Sequence, residues 1–230
     1  MDWHGIQKEV RYLHRELWRK RHSLCPYAGD NPLRLLEPQT IARVLDVQYQ
    51  ELGNLGEQVF SLRGKKFAVA GLVDRQAGRI AVSDGYSDKV KRFTAGHEFG
   101  HWVLHPNEVI HRDRPIDGSW LNMPKPAFEK EADFFSACLL LPDNLLKQHF
   151  RVRFQTDSRL VFNETAAFHV CSQRAKELVT AQAGSLEREL AVARCRSFGG
   201  THFDSLADTF RVSDTAMARR IKELGLIEWP

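Results

Sequence analysis

Near the start of the chain Val10, Leu13, Leu17 and Trp18 recur at helical spacing among Lys8, Arg11, Arg15, Arg19, Lys20 and Arg21. This pattern predicts an amphipathic helix over residues 3–21 with a solvated basic face. Pro26, Gly29 and Pro32 interrupt it before a second helical stretch over 38–46. From 47 to 82 the period shortens. Segments 58–62, 67–73 and 79–82, punctuated by Gly64, Gly71 and Gly78, read as strands of a small, partly antiparallel sheet. Helical spacing returns over 88–104, stopped by Pro106, and over 127–141, stopped by Pro142, because proline disfavours helix in the residue before it. Residues 107–126 are rich in Pro, Asp, Asn and Gly and read as a surface loop able to wall a cleft.

After Pro142 the pattern is mostly helical. Asn163-Glu164-Thr165 marks a helix start, Gly199-Gly200-Thr201 reads as a linker, and 205–221 reads as helix, turn, helix with Ser213 or Asp214 as the second cap. The expected fold is α+β and mostly helical. Residues 1–142 form one domain with an N-terminal helix and a small sheet. Residues 143–230 form a helical region whose end, about 201–230, is helix-turn-helix-like.

With 230 residues, 43% of them hydrophobic, the chain can bury a sizeable core. Residues 1–5 lack a basic n-region followed by an apolar stretch, and the longest apolar run, 137–141, is too short to span a bilayer, so a cytoplasmic protein without a membrane partner is expected. Cys25, Cys138, Cys171 and Cys195 are scattered without a CxxC pair, which reads as reduced thiols. The net charge is +4 with both signs interspersed, which gives no argument for nucleic acid. In the final module Arg211, Arg219, Arg220 and Lys222 are nearly cancelled by Asp204, Asp208, Asp214, Glu223 and Glu228. Direct DNA binding is therefore not expected. Its apolar residues exceed what two short helices can cover, so the module is expected to dock on a larger body and help recognise a partner.

The chemistry concentrates in the two central helices. His97 and His101 of His97-Glu98-Phe99-Gly100-His101 lie one turn apart on one helical face and can offer ring nitrogens to a single Zn²⁺. Glu98, on the adjacent flank, can act as general base on the attacking water and later as acid to the leaving amine. A catalytic zinc site needs a third protein ligand and an open fourth position. In the next helix Glu129 and Asp133 share a face. Glu129 is the expected third ligand, with Glu131 the alternative, and Asp133 is expected to fix the tautomer of a ligand histidine. His105, a further turn along, is a candidate near the site that could donate to a developing oxyanion or bind a substrate carbonyl, or is simply a favourable residue at a helix C-terminus. His111, His149, His169 and His202 lack paired ligand spacing and are not expected to bind metal.

Residues 92–101, with His105, and 129–133 leading into Leu139-Leu140-Leu141-Pro142, resemble the ImmA/IrrE-type metallopeptidases. The resemblance covers about 38–142 and reappears at 210–227, leaving 143–200 unmatched. It implies a zincin-like domain with a gluzincin-like site and one Zn²⁺ per chain. It also implies cleavage of a companion helix-turn-helix repressor that releases stress, DNA-damage or phage-response genes. The competing reading is a DNA-binding regulator whose HExxH module senses metal or is degenerate.

Overall fold

The computed structural model describes residues 2–26, 31–53, 55–59, 66–107, 110–113 and 126–229. Residues 60–62 of the expected first strand, and 108–109 and 114–125 of the expected loop, lie outside the described residues. The chain divides into two compact units, Met1–Leu140 and Leu141–Pro230.

The first unit opens with α1 (Trp3–Arg19), capped by Asp2, whose carboxylate accepts the Gly5 N–H at 2.8 Å. Ile6, Val10, Leu13 and Leu17 are its buried stripe, while Lys8, Arg11, Arg15 and Trp18 face outward. A short α2 (Arg21–Leu24) and a 3₁₀ turn (Pro32–Leu36) lead to α3 (Pro38–Leu45), which ends on Asp46 in the left-handed conformation at φ 53°.

Next come β1 (Gln48–Leu52), β2 (Glu57–Val59), β3 (Lys66–Ala68), β4 (Gly71–Asp74) and β5 (Arg79–Ser83). They are followed by α4 (Asp88–Leu104), β6 (Ile110–Asp113) and α5 (Ala127–Leu140). The main sheet runs β1-β5-β4-β6, with β1 parallel to β5 and β4 antiparallel to both of its neighbours. The stretch expected as one strand over 67–73 is two, because β3 pairs with β2 in a separate ribbon while β4 joins the main sheet. Strand β6 falls within the stretch expected to be a loop.

Helix α4 packs on β4, β5, α3 and α5, and Thr94–His101 are buried without a break. Two glycines bring α5 that close. A Cβ on Gly96 would strike the Ser136 hydroxyl, and one on Gly100 would lie 3.0 Å from Ala132 Cα. Ser136 uses its hydroxyl to donate to the Phe93 carbonyl at 2.9 Å, which ties the two helices where they are closest.

The second unit contains α6 (Asp143–Phe154), β7 (Leu160–Val161), α7 (Glu164–Cys171), α8 (Ala175–Val179), α9 (Glu187–Arg194), β8 (Ser197–Phe198) and β9 (Thr201–His202). It closes with α10 (Leu206–Thr209), α11 (Asp214–Glu223) and β10 (Ile227–Glu228), which pairs in parallel with β7. Asn163 caps α7 and Ser213 caps α11. Gly199 and Gly200 are not a linker. Both have positive φ, 54° and 82°, and they form the two-residue turn of the β8–β9 hairpin. Met217, Ala218, Arg220 and Ile221 of α11 are buried, and α9 is the main helix packed against it. The final module thus packs on α9, which precedes it in the chain.

Candidate metal centre

The three candidate metal ligands come from α4 and α5. The fourfold spacing puts His97 and His101 on one face of α4, and their Nε2 atoms lie 3.0 Å apart. Glu129, in the first turn of α5, brings Oε2 to 3.3 Å from His97 Nε2 and Oε1 to 3.9 Å from His101 Nε2. Tetrahedral zinc with bonds of about 2.0–2.1 Å places its ligand atoms roughly 3.3–3.4 Å apart, and these separations bracket that spacing. Among the described residues, His97, His101 and Glu129 form the group able to hold a metal ion, their ligand atoms all within 4.8 Å of one another.

The opposite nitrogens decide whether the Nε2 atoms can donate electron pairs to a metal. Asp133 Oδ1 lies 2.9 Å from His97 Nδ1, so an ionised Asp133 accepts a hydrogen bond from Nδ1–H, which favours the tautomer whose lone pair is on Nε2. His101 Nδ1 meets His105 Nδ1 at 3.0 Å, and His105 Nε2 meets Glu131 Oε2 at 3.2 Å. The Phe128 ring packs edge-on against both imidazoles, with centroids 5.9 Å from His101 and 6.1 Å from His105. The donor set and its hydrogen bonds therefore fit a zinc ion.

Glu98 is completely buried, and its side chain lies against β4 at Gly71, where a Cβ would collide with the carboxylate. The end of α4 is fixed by Arg75 from the turn after β4. Its Nη2 reaches the carbonyls of His101, Trp102 and His105 at 2.9, 2.8 and 3.1 Å, and its guanidinium lies 4.6 Å from the centre of the Trp102 ring. A cation there complements the negative end of the helix.

The structure thus brings together the side chains of His97, His101, Glu129, Asp133 and His105, while Glu98, next to His97 in α4, faces Gly71. Glu131, the alternative third ligand, instead holds His105. Both ring nitrogens of His105 are engaged inside the protein, which leaves the oxyanion assignment without an N–H to give. His149, His169 and His202 belong to the second unit. Sequence reasoning missed Arg75, Gly71 and the Glu131 contact. Only the His105 and Glu131 positions, on the helices bearing the motif, carried any local signal.

Two helices converge a His–His–carboxylate group able to hold a metal ion on a helix that carries the buried Glu98 and packs on a small mixed sheet. The chain belongs to the Peptidase M78 family, the IrrE N-terminal-like domain, whose model matches residues 52–173, just over half of the sequence. The match runs past residue 142 and takes in α6 and α7, beyond the segment in which the resemblance was apparent. The chain is also 29% identical over 96 residues to "Uncharacterized immunity region protein 2" of Bacillus phage phi105, covering 41% of this chain and 57% of that protein. Among the described residues, no helix is long and apolar enough to cross a membrane.

Proposed function

We propose that the chain is a zinc-dependent endopeptidase that cleaves a companion helix-turn-helix transcriptional repressor, releasing phage-response, DNA-damage or stress genes. The observation that carries this reading is the convergence of His97, His101 and Glu129 beside the buried Glu98. Zn²⁺ held by those three side chains would supply Lewis acidity to a scissile carbonyl and make water easier to deprotonate. Glu98 takes the proton from the attacking water and returns it to the leaving amine as the C–N bond breaks. Gly71 leaves room for that carboxylate, and Asp133 keeps His97 in the tautomer that binds metal. The repressor as substrate is supported by family membership and by the immunity-region name of the phage relative.

The alternative, a DNA-reading module at the C-terminus, finds less support. Of the basic residues on α11 only Arg219 and Lys222 are exposed. Arg220 is buried between Asp143 and Glu223, and its charge is spent inside the unit. The test uses the purified chain with Zn²⁺ and helix-turn-helix repressors encoded near its gene. Wild type is expected to cut one of them at a single linker, while Glu98→Gln keeps metal and fold but loses cleavage by at least about 10²-fold. Equal cleavage by both proteins would remove Glu98 from the mechanism, and no cleavage of any such repressor by wild type would refute the substrate.

A further inference from the structure

Acidic and basic residues alternate along the chain, but α1 sorts them by face. At 3.6 residues per turn, Lys8, Arg11, Arg15 and Arg19 fall in one sector about 80° wide, roughly opposite the buried stripe of Ile6, Val10, Leu13 and Leu17. Glu9 and Glu16 lie about 100–120° from the centre of that sector. All four basic residues are exposed. Arg19 pairs with Glu16, whereas among the described residues Lys8, Arg11 and Arg15 make no ion pair and no side-chain hydrogen bond. Three cations thus stand in a row with no partner in the fold.

Aromatic rings border the row. Tyr12 is 56% and Trp18 44% exposed, and the helical phase sets them on opposite edges of the basic sector. Trp18 is held in place by Arg21, whose guanidinium lies 4.4 Å from the ring centre and whose Nη1 donates to the Trp18 carbonyl at 2.9 Å.

We propose that the outward face of α1 binds single-stranded nucleic acid, its phosphates following Lys8, Arg11 and Arg15 and its bases stacking on Tyr12 and Trp18. The proposal goes beyond the metal-centre reading and does not depend on it. Successive cations on the row are about 4.5–6 Å apart along the axis, close to the spacing of neighbouring phosphates in an extended strand. A repeating anion therefore meets a repeating cation, which an isolated acidic side chain would not. Exposed rings beside the row choose the single strand, because a duplex keeps its base faces stacked on one another and leaves such rings in water. A membrane is a poorer match: the apolar stripe of α1 is buried in the core, so the helix has no apolar face to lower into a bilayer.

The test is fluorescence anisotropy on the full chain with a labelled oligothymidylate of about 15 nucleotides. Three phosphate contacts predict a slope of log K against log salt of about −0.7 × 3, or about −2, so a fourfold rise in salt should weaken binding about 15–20-fold. Arg11→Gln and Arg15→Gln should each make the slope shallower by about 0.7, and the triple change with Lys8→Gln should weaken binding at low salt by at least about tenfold. Tyr12→Ala should weaken it about tenfold with the slope unchanged, since stacking releases no counterions. Lys20→Gln removes an exposed cation outside the row and should leave both affinity and slope near wild type. Equal melting temperatures across these surface variants show that the fold is kept.

No saturable binding at low salt would overturn the proposal, as would a loss in Lys20→Gln equal to that in Arg15→Gln. Tighter binding to a duplex of the same length, with Tyr12→Ala without effect, would refute the single strand. Tighter binding to phosphatidylserine vesicles than to the oligonucleotide would give the face to a lipid surface instead.

Discussion

Substitution of Gly71 by alanine isolates the placement of Glu98 from every other feature of the centre. Gly71 is not among the residues with positive φ, so alanine fits its backbone, and the three atoms nearest the added carbon all belong to the Glu98 side chain. That carbon would sit 2.7 Å from Glu98 Cδ and 2.9 Å from Cγ, with Oε1 nearer still. Ordinary contact begins at 3.4 Å, so Cδ must retreat by 3.4 − 2.7 = 0.7 Å and Oε1 by more. A catalytic group displaced by about 1 Å loses about 10²-fold in rate, or about 2.7 kcal/mol on the barrier. Zinc affinity should stay at the wild-type level, because neither histidine nor Glu129 is touched. Unfolding measurements form a cycle with this assay. Gly71→Ala should destabilise the wild type by about 1–3 kcal/mol through overpacking, and be neutral or stabilising by about 0.4–1 kcal/mol in a Glu98→Ala background. Full turnover in Gly71→Ala, with the same stability effect in both backgrounds, would refute the argument that this glycine exists to admit the carboxylate.

Two further outcomes follow from packing and charge. Gly100→Ala places its carbon 3.0 Å from Ala132 Cα and 3.1 Å from Ala132 O, backbone atoms that cannot rotate aside. Overpacking of about 1–3 kcal/mol should outweigh a helix-propensity gain of about 1 kcal/mol, and a stabilised variant in urea unfolding would sink this reasoning. In the second unit, burial and then the adjacent Arg153 guanidinium hold His149 below its ordinary value of 6.5. The unfolded chain therefore binds that proton more readily. The group's contribution is intact above pH 6.5 and is lost as pH falls from there through the lowered folded value. Urea midpoints compared at about pH 8 and about pH 5 should fall less in His149→Gln than in wild type, and an identical fall would remove His149 as a cause.

The parts of this centre that sequence exposes are those fixed by one helix at a time. The spacing of His97 and His101, and of Glu129 and Asp133, survives folding because a helical period decides which side chains share a face. What stayed hidden depends on pairing between distant segments. Strand β1 is Gln48-Tyr49-Gln50-Glu51-Leu52, with no apolar alternation to betray it, and it is a strand because β5 pairs with it in parallel. Strand β6 looked like loop for the same reason. Arg75 reads as a polar turn residue until the turn is seen to sit at the end of α4, and Gly71 reads as punctuation until Glu98 is seen against it. Glu131 reads as the second choice for the third ligand, or as a solvated charge. Its actual neighbour is His105, 26 positions away.

The unbroken burial of Thr94–His101 bears on how such a protein is switched on. A helical turn with water on one side can fray and re-form, but amides enclosed on all sides exchange only when the whole unit opens. The two histidines of the proposed ligand set are therefore expected to be in place before any ion arrives, and an arriving ion need not order that helix as it does in many small metallodomains. Under the proposed function, a cell could keep a standing stock of folded, idle enzyme whose output follows the local supply of metal and of substrate, with no wait for synthesis or refolding.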